Sequence, residues 1–408
     1  MAGNEIIALG ILLMAGFAGG KASYAARLPS VTGYILAGLL LGPSLLDIIT
    51  PETIEKLEFI NSLALSLIAI SVGGKLDLAE LSGGFGTILS VSLMQTLFVG
   101  AGTFAALVVS GVSPALALLL AATALATAPA AVMAVVEETR AQGPFTNTLL
   151  AVVALSNVLA VMVFGFAMAA VPFVELDTGF SLALTRAPMA SLGGSLLLGA
   201  GIGLILSRVA PMARNRQEIL IIILGTAFLS SELARIGLKY SPLLINITIG
   251  FVLVNLCPLK DRLFEAIGSV ELPIYITFFS LQGAHLDIRV LGGLGLVGVT
   301  YILSRMAAKV MGAWLGAAVT GAAGPMRRFL GPALFPQAGI AIGMCVAVSN
   351  TPSCSAYAPT VTTVVLAAVL INELIGPVAV NISLNRVGEA RPRVVRKTAK
   401  RNTGDEKR

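Results

Sequence analysis

The sequence predicts an all-α, polytopic membrane protein of about thirteen transmembrane helices, and three observations carry that prediction. Of 408 residues, 56% are apolar and only 12% charged. Apolar runs of roughly 20 residues, the length a helix needs to cross a bilayer, recur from one end of the chain to the other. The basic residues fall between those runs, and they favour alternate intervals.

The first span is read at residues 6–26, with Glu5 the only charge ahead of it. Lacking a basic leader and a clear small-residue cleavage site, it is expected to be a retained helix rather than a signal peptide. Gly and Pro punctuation divides the remainder into spans at 31–46, 57–74, 84–111, 113–137, 143–171, 187–209, 217–236, 241–257, 263–285, 289–319, 328–349 and 358–385. The sixth, Gly143 to Val171, has no charge and holds Ser156 and Asn157 side by side at its midpoint. Polar groups at that depth need hydrogen-bond partners or a wet cavity, so the pair is either a site or an interhelical contact.

With the N-terminus outside, 20 Lys and Arg lie on the cytoplasmic side, nine of them from Arg386 onward, against five outside: Lys56, Arg186, Arg235, Lys239 and Arg289. The positive-inside rule therefore predicts a multi-pass protein of the cell's inner (plasma) membrane with a cytoplasmic C-terminus. The net charge of +6 belongs to the surface of the lipid bilayer and not to a nucleic-acid interface. Residues Arg391 to Arg408 read as a disordered basic tail attracted to anionic lipid. Cys257, Cys345 and Cys354 are odd in number and lack CxxC spacing, which supports neither a disulfide framework nor a zinc site. No resident cofactor is expected. The single histidine, His285, sits at the outer end of the tenth span with no evident nucleophile or metal partner, and this argues against an enzyme.

Two basic residues lie inside a span. Arg305 and Lys309, four residues apart in the eleventh, share a helix face, and burying either charge at mid-bilayer costs about 2.5 to 3.5 kcal/mol. The fifth and twelfth spans look broken, the former at Pro129 beside Thr127, the latter at Pro332 and Pro336, followed by Gln337 and Gly339. Glu373, in the thirteenth span at a depth similar to Arg305, is expected either to pair with that arginine or to cap the kink at Gly376-Pro377. Glu271, Asn246 and Asn255 read as helix-packing polar groups, and the GxxxG spacings Gly38 to Gly42 and Gly312 to Gly316 permit close helix approach.

A broken span followed by a polar-centred one, at five and six, is answered by a charged span followed by a broken one, at eleven and twelve. This pattern fits two inverted six-helix repeats, residues 1–186 and 211–386, joined by a linker helix in 187–210 and followed by the tail 387–408. Paired discontinuous helices of this kind place a transporter's substrate site at the membrane midplane.

The segments LPSVTGYILAGLLLGPSLL (28–46), Thr127-Ala128-Pro129-Ala130, GPFTNTLLAVVAL before Ser156, FFSLQGAHLDI (278–288), SRMAAKVMGAWLGA (304–317), LFPQAGIAIG (334–343) and NELIGP (372–377) resemble, in order, the bacterial monovalent cation:proton antiporters. These are the sodium/proton and potassium/proton exchangers, and the likeness is strongest to the branch with the glutathione-gated potassium efflux systems. The resemblance implies a homodimer in which a core (spans 4 to 6 and 11 to 13) moves against a dimerisation panel (spans 1 to 3 and 8 to 10). It implies an ion site at the positions of Ser156 and Asn157, where the family presents Asp-Asp or Asn-Asp, and a partner lysine at Lys309. Here the sequence departs from the pattern, because the centre of span 6 has no carboxylate.

Two transport mechanisms follow. In one, Lys309 carries the proton: a monovalent cation arriving at oxygens of Thr127, Ser156, Asn157 and broken-helix carbonyls, with Gln337 beside them, repels the ammonium proton. One proton then leaves per cation, and exchange is electroneutral. In the other, loss of the acids leaves Lys309 and the positive half-helix ends to an anion or polar solute. A transport-dead homologue acting as a sensor or assembly partner is the third reading. The family resemblance favours cation/proton exchange.

Overall fold

The computed structural model describes residues 5–81, 84–176, 183–233, 240–293 and 295–391. Arg235, Lys239 and the tail beyond Arg391 lie outside them. Among these residues all regular structure is helical, and the helices fall where the apolar runs predict.

The chain opens with α1 (Glu5–Ala25), α2 (Ser30–Leu41), the short α3 (Pro51–Lys56), α4 (Glu58–Gly74) and the single turn α5 (Leu78–Leu81). Next come α6 (Phe85–Val109), the half-helices α7 (Pro114–Ala124) and α8 (Pro129–Thr139), the long α9 (Pro144–Leu176) and α10 (Ala183–Val209). α11 (Arg216–Leu233) and α12 (Pro242–Leu256) lead to α13 (Lys260–Gly268) and α14 (Glu271–His285). The last group is α15 (Gly295–Val319), the half-helices α16 (Gly324–Ala333) and α17 (Gly339–Asn350), and α18 (Ala358–Val387).

Three expected spans are altered. The second stops at Leu41 instead of 46: Gly42 N closes the last turn on Gly38 O at 2.8 Å, and Pro43 directs the chain into a turn. The tenth is two helices, α13 and α14, bent by 51° at residues 269–270. The eleventh begins at Gly295, after a 3₁₀ segment over Ile288–Gly293.

Small residues set the closest crossings, as the GxxxG spacings predict. A Cβ on Gly312 or Gly316 would stand 2.6 Å from the Cα of Gln95 or Val91, so α15 and α6 touch backbone to backbone. A Cβ on Gly42 would likewise stand 2.6 Å from the carbonyl oxygen of Ala284, where the end of α2 meets α14. The largest apolar core centres on α6–α9 and α15–α18; a second gathers α4 and α10–α13, and a third α1–α3 with α14.

The polar residues outside the main core bond to neighbouring helices. Ser71 Oγ donates to Glu271 at 3.0 Å, and Ser230 Oγ donates to Asn246 at 2.8 Å. Asn255 donates to Leu76 O at 3.0 Å and accepts from Leu78 N at 2.9 Å. His285 lies half-exposed, with Nδ1 2.9 Å from Leu281 O and Nε2 3.7 Å from a Glu58 carboxylate.

Candidate functional site

Neither break is a kink within a helix. Pro129 is the first helical residue of α8, where its missing N–H is one the helix would leave unpaired anyway. Before it, residues 125–128 leave the α-helical path: Leu125 and Ala126 close the end of α7 with bonds to Ala122 O and Thr123 O at 3.4 and 3.3 Å, and the chain then runs on to α8. Pro336 lies likewise in the stretch 334–338 between α16 and α17, while Pro332 stays inside α16. Ala128 N donates to Pro336 O at 2.9 Å, so the two breaks cross in direct contact. Two helix carboxyl ends and two amino ends therefore converge within the protein, each with unpaired backbone groups and a partial charge.

Arg305 satisfies the carboxyl ends. From α15, its Nε donates to Ala124 O, Nη1 to Phe335 O and Nη2 to Ala126 O, each at 2.9 Å, with Pro336 O at 3.5 Å from Nη2. One fully buried guanidinium thus bonds both breaks, as its fork of fixed donors allows. The expected pairing of Arg305 with Glu373 is not formed. The guanidinium is committed to carbonyl oxygens, and both Glu373 carboxyl oxygens are buried without a hydrogen-bond partner among the described residues.

Lys309, one turn further along α15, is also fully buried. Its Nζ donates to Thr127 Oγ1 at 2.7 Å and to Gln95 Oε1 at 3.1 Å, with Leu125 O at 3.4 Å. The ammonium is surrounded by neutral oxygens, and no carboxylate stands among them. Gln95, in the middle of α6, is a member of this cage that the sequence reading missed; an uncharged polar side chain centred in an apolar span was its signal.

Asn157 and Ser156 divide their tasks. Asn157 Oδ1 accepts from Thr127 N at 3.1 Å and its Nδ2 donates to Thr127 O at 2.9 Å, so the amide clamps the backbone of the first break. Ser156 Oγ is buried and has no partner among the described residues. Gln337 ties the second break to the first. Its Nε2 donates to Thr123 O at 3.1 Å and Tyr301 Oη at 3.0 Å, while its Oε1 accepts from Asn372 Nδ2 at 3.0 Å. The structure thus brings Thr127, Ser156, Asn157, Arg305, Lys309 and Gln337 to one pair of breaks. It adds Gln95, Thr123, Tyr301 and Asn372, and leaves Glu373, next to Asn372 on α18, outside this network.

A cavity of about 1330 Å³ opens at the end of the protein where α18 finishes, lined by residues that include Lys75, Met133, Glu137, Thr146, Leu150, Lys260 and Glu271. Its walls come from α4, α13 and α14 on one side and α8 and α9 on the other, and neither Lys309 nor Asn157 lines it. Lys75 and Glu137 bridge the two walls at 3.0 Å.

At the rim of this cavity the amino end of α9 is held by Glu389, just past α18. Its carboxylate accepts from Phe145 N at 2.8 Å and from Thr146 N and Oγ1, each at 2.7 Å. A carboxylate there satisfies free N–H groups and opposes the helix dipole. Glu389→Ala is expected to lower stability by about 1 to 2 kcal/mol, read as an earlier thermal unfolding in detergent. Unfolding at the wild-type temperature would show that the staple contributes nothing.

The family described as "Sodium/hydrogen exchanger, transmembrane" matches residues 9–381. No curated protein sequence matches the chain. Two solved structures of the sodium/proton antiporter MjNhaP1 from Methanocaldococcus jannaschii are similar in fold. One, at pH 8, has a TM-score of 0.69 at 19% identity, over 93% of this chain and 95% of that one. The other, from electron microscopy, has a TM-score of 0.75 at 18% identity, over 95% of this chain and 98% of that one. With a match over nearly all of its length, the chain belongs to the sodium/hydrogen exchanger family.

Proposed function

We propose that the protein is a secondary transporter that exchanges a monovalent cation, sodium or potassium, for a proton by alternating access, with Lys309 carrying the proton. The observation that carries this reading is the Lys309 cage. The Lys309 amine, which carries one positive charge when protonated, sits among Thr127 Oγ1, Gln95 Oε1 and Leu125 O. An alkali cation seeks the same neutral oxygens and cannot share them with an ammonium at this separation. Binding of the cation therefore requires the amine to lose its proton, and this half-reaction exchanges charge one for one. The unpartnered Ser156 Oγ, on the helix whose Asn157 clamps Thr127, is a further oxygen for the incoming ion.

The structural setting follows the same reading. Residues 1–186 and 211–386 form two inverted repeats around the linker 187–210, in a homodimer embedded in the inner membrane with the N-terminus outside. The cavity then faces the cytoplasm. Its carboxylates Asp77, Glu137, Asp261, Glu265 and Glu271 outnumber its lysines, Lys75 and Lys260, which favours cations at the mouth.

One observation favours a second reading. Lys309 is buried among neutral oxygens without a carboxylate partner, and an anion would supply a negative charge, or a polar solute further acceptors, beside it. Liposomes loaded with a pH-sensitive dye, with cation and anion varied independently, decide between the two. Cation/proton exchange gives proton movement that tracks sodium or potassium and ignores the anion. Proton movement that tracks only the anion, or none, overturns it. In the same assay Asn157→Asp and Ser156→Asp, which place an acid on the Thr127 side of the cage, are expected to strengthen cation-dependent proton movement.

A further inference from the structure

Glu373 is the only acid among the described residues that is buried, at 3% exposure, and it lies at the middle of α18. Among the described residues, both of its carboxyl oxygens lack a hydrogen-bond partner, as does Oδ1 of the fully buried Asn372 beside it. Three acceptor oxygens on two consecutive residues are thus held away from solvent with no donor to receive. Such groups are costly to leave unpaired.

Among the described residues, the charged groups on the elements packed against α18 are engaged elsewhere or turned to the surface, as Arg289 of the 3₁₀ segment is, exposed and donating to Pro43 O at 3.2 Å. On α15, Arg305 is spent on the carbonyls of the two breaks and Lys309 on the cage around Thr127. On α8, Glu137 pairs with Lys75, and Glu138 accepts from Ser30. On α16, Arg327 donates to Ala322 O and Arg328 lies over Phe329. α2, α7 and α17 carry no charged residue, and the tyrosine on α2, Tyr34, and Cys345 on α17 are both buried and bring no countercharge. An ionised Glu373 would therefore be a buried charge without a partner, an arrangement that several kcal/mol oppose.

The turn is nevertheless tied into the transport machinery. Asn372 Nδ2 bonds Gln337 in the second break at 3.0 Å, and a Cβ on Gly376 would stand 2.8 Å from Pro336. Movement of that break moves these oxygens.

We propose that Glu373 and Asn372 Oδ1 form a second site, distinct from the Lys309 cage, that holds either a proton or a monovalent cation. In the conformation seen, Glu373 keeps its proton. When a monovalent cation reaches the turn, the carboxyl O–H gives up that proton to water, and the carboxylate with Asn372 Oδ1 holds the cation in its place, one positive charge for another. The competition between acid and cation, which Ser156 and Asn157 cannot supply, is thereby displaced from α9 to α18. The inference goes beyond the Lys309 exchange and rests on the same reading of the protein as a cation/proton exchanger.

The test is proton release on adding saturating sodium or potassium chloride to purified full-length protein in weakly buffered detergent. About two protons per protomer are expected from the wild type, and about one from either Glu373→Gln or Lys309→Met. Glu373→Asp, which keeps the acid, should retain most of the second proton. Thermal unfolding of each variant without added cation shows that it is folded, and Glu373→Gln preserves shape and buried volume. Equal release from wild type and folded Glu373→Gln overturns the second site and leaves the Lys309 reading intact. Loss confined to Glu373→Gln supports the second site and removes the lysine. No release from the wild type with either salt overturns both.

Discussion

Lys309→Ala is expected to abolish cation-driven proton movement through the two breaks, lowering the exchange rate at least about 100-fold. The side chain supplies both the proton that leaves and the charge that holds the empty site together. Without it Thr127 Oγ1, Gln95 Oε1 and Leu125 O lose their shared donor, and a bound cation has nothing to displace. Lys309→Met separates the chemical loss from a packing loss, because it keeps most of the volume. In the wild type the protonated amine and the cation compete for one cage, so lowering the pH should weaken cation binding by about tenfold per unit for each competing proton. In Lys309→Met the dependence should become shallower by about one proton, while cation affinity at low pH should rise or stay level. A methionine variant that transports at the wild-type rate with an unchanged pH dependence would remove Lys309 from the mechanism.

The spans were legible because a helix crossing a bilayer must be long, apolar and free of charge, constraints that are local in sequence. The breaks were legible for a related reason. A proline beside a polar residue, as at Thr127-Ala128-Pro129, has few uses inside an apolar run, although the sequence did not reveal that Pro129 starts a helix. The partners of the two buried bases were not legible. Arg305 bonds backbone carbonyls, which every residue carries, so no side chain marks them. Lys309 and Gln95 are separated by 214 positions and meet only because Gly312 lets α15 close against Gln95's own backbone. The expected Arg305 to Glu373 pair failed because opposite charges at similar depth were matched on depth alone, whereas the convergent helix ends already offered the guanidinium its countercharge.

That countercharge leads to the second large effect. Arg305→Met is expected to destabilise the protein by about 3 kcal/mol or more, because it strands three buried carbonyls at about 1 to 3 kcal/mol each. The stranded groups are Ala124 O, Ala126 O and Phe335 O, buried carbonyls that lose their shared donor. Arg305→Lys should fall between the two, since a single ammonium keeps the charge but cannot span the carbonyls of both breaks with a planar fork. Thermal unfolding in detergent should therefore rank arginine above lysine above methionine. If the methionine variant unfolds with the wild type, the carbonyls have found other donors and Arg305 does not hold the breaks. Where the ranking holds, transport should suffer even in molecules that remain folded. Thr127, whose hydroxyl receives the Lys309 proton donor and whose backbone is clamped by Asn157, directly follows the carbonyl of Ala126 that Arg305 fixes. Loosening that carbonyl loosens the cage, so the arginine acts on ion exchange by positioning the oxygens for which Lys309 and the cation compete.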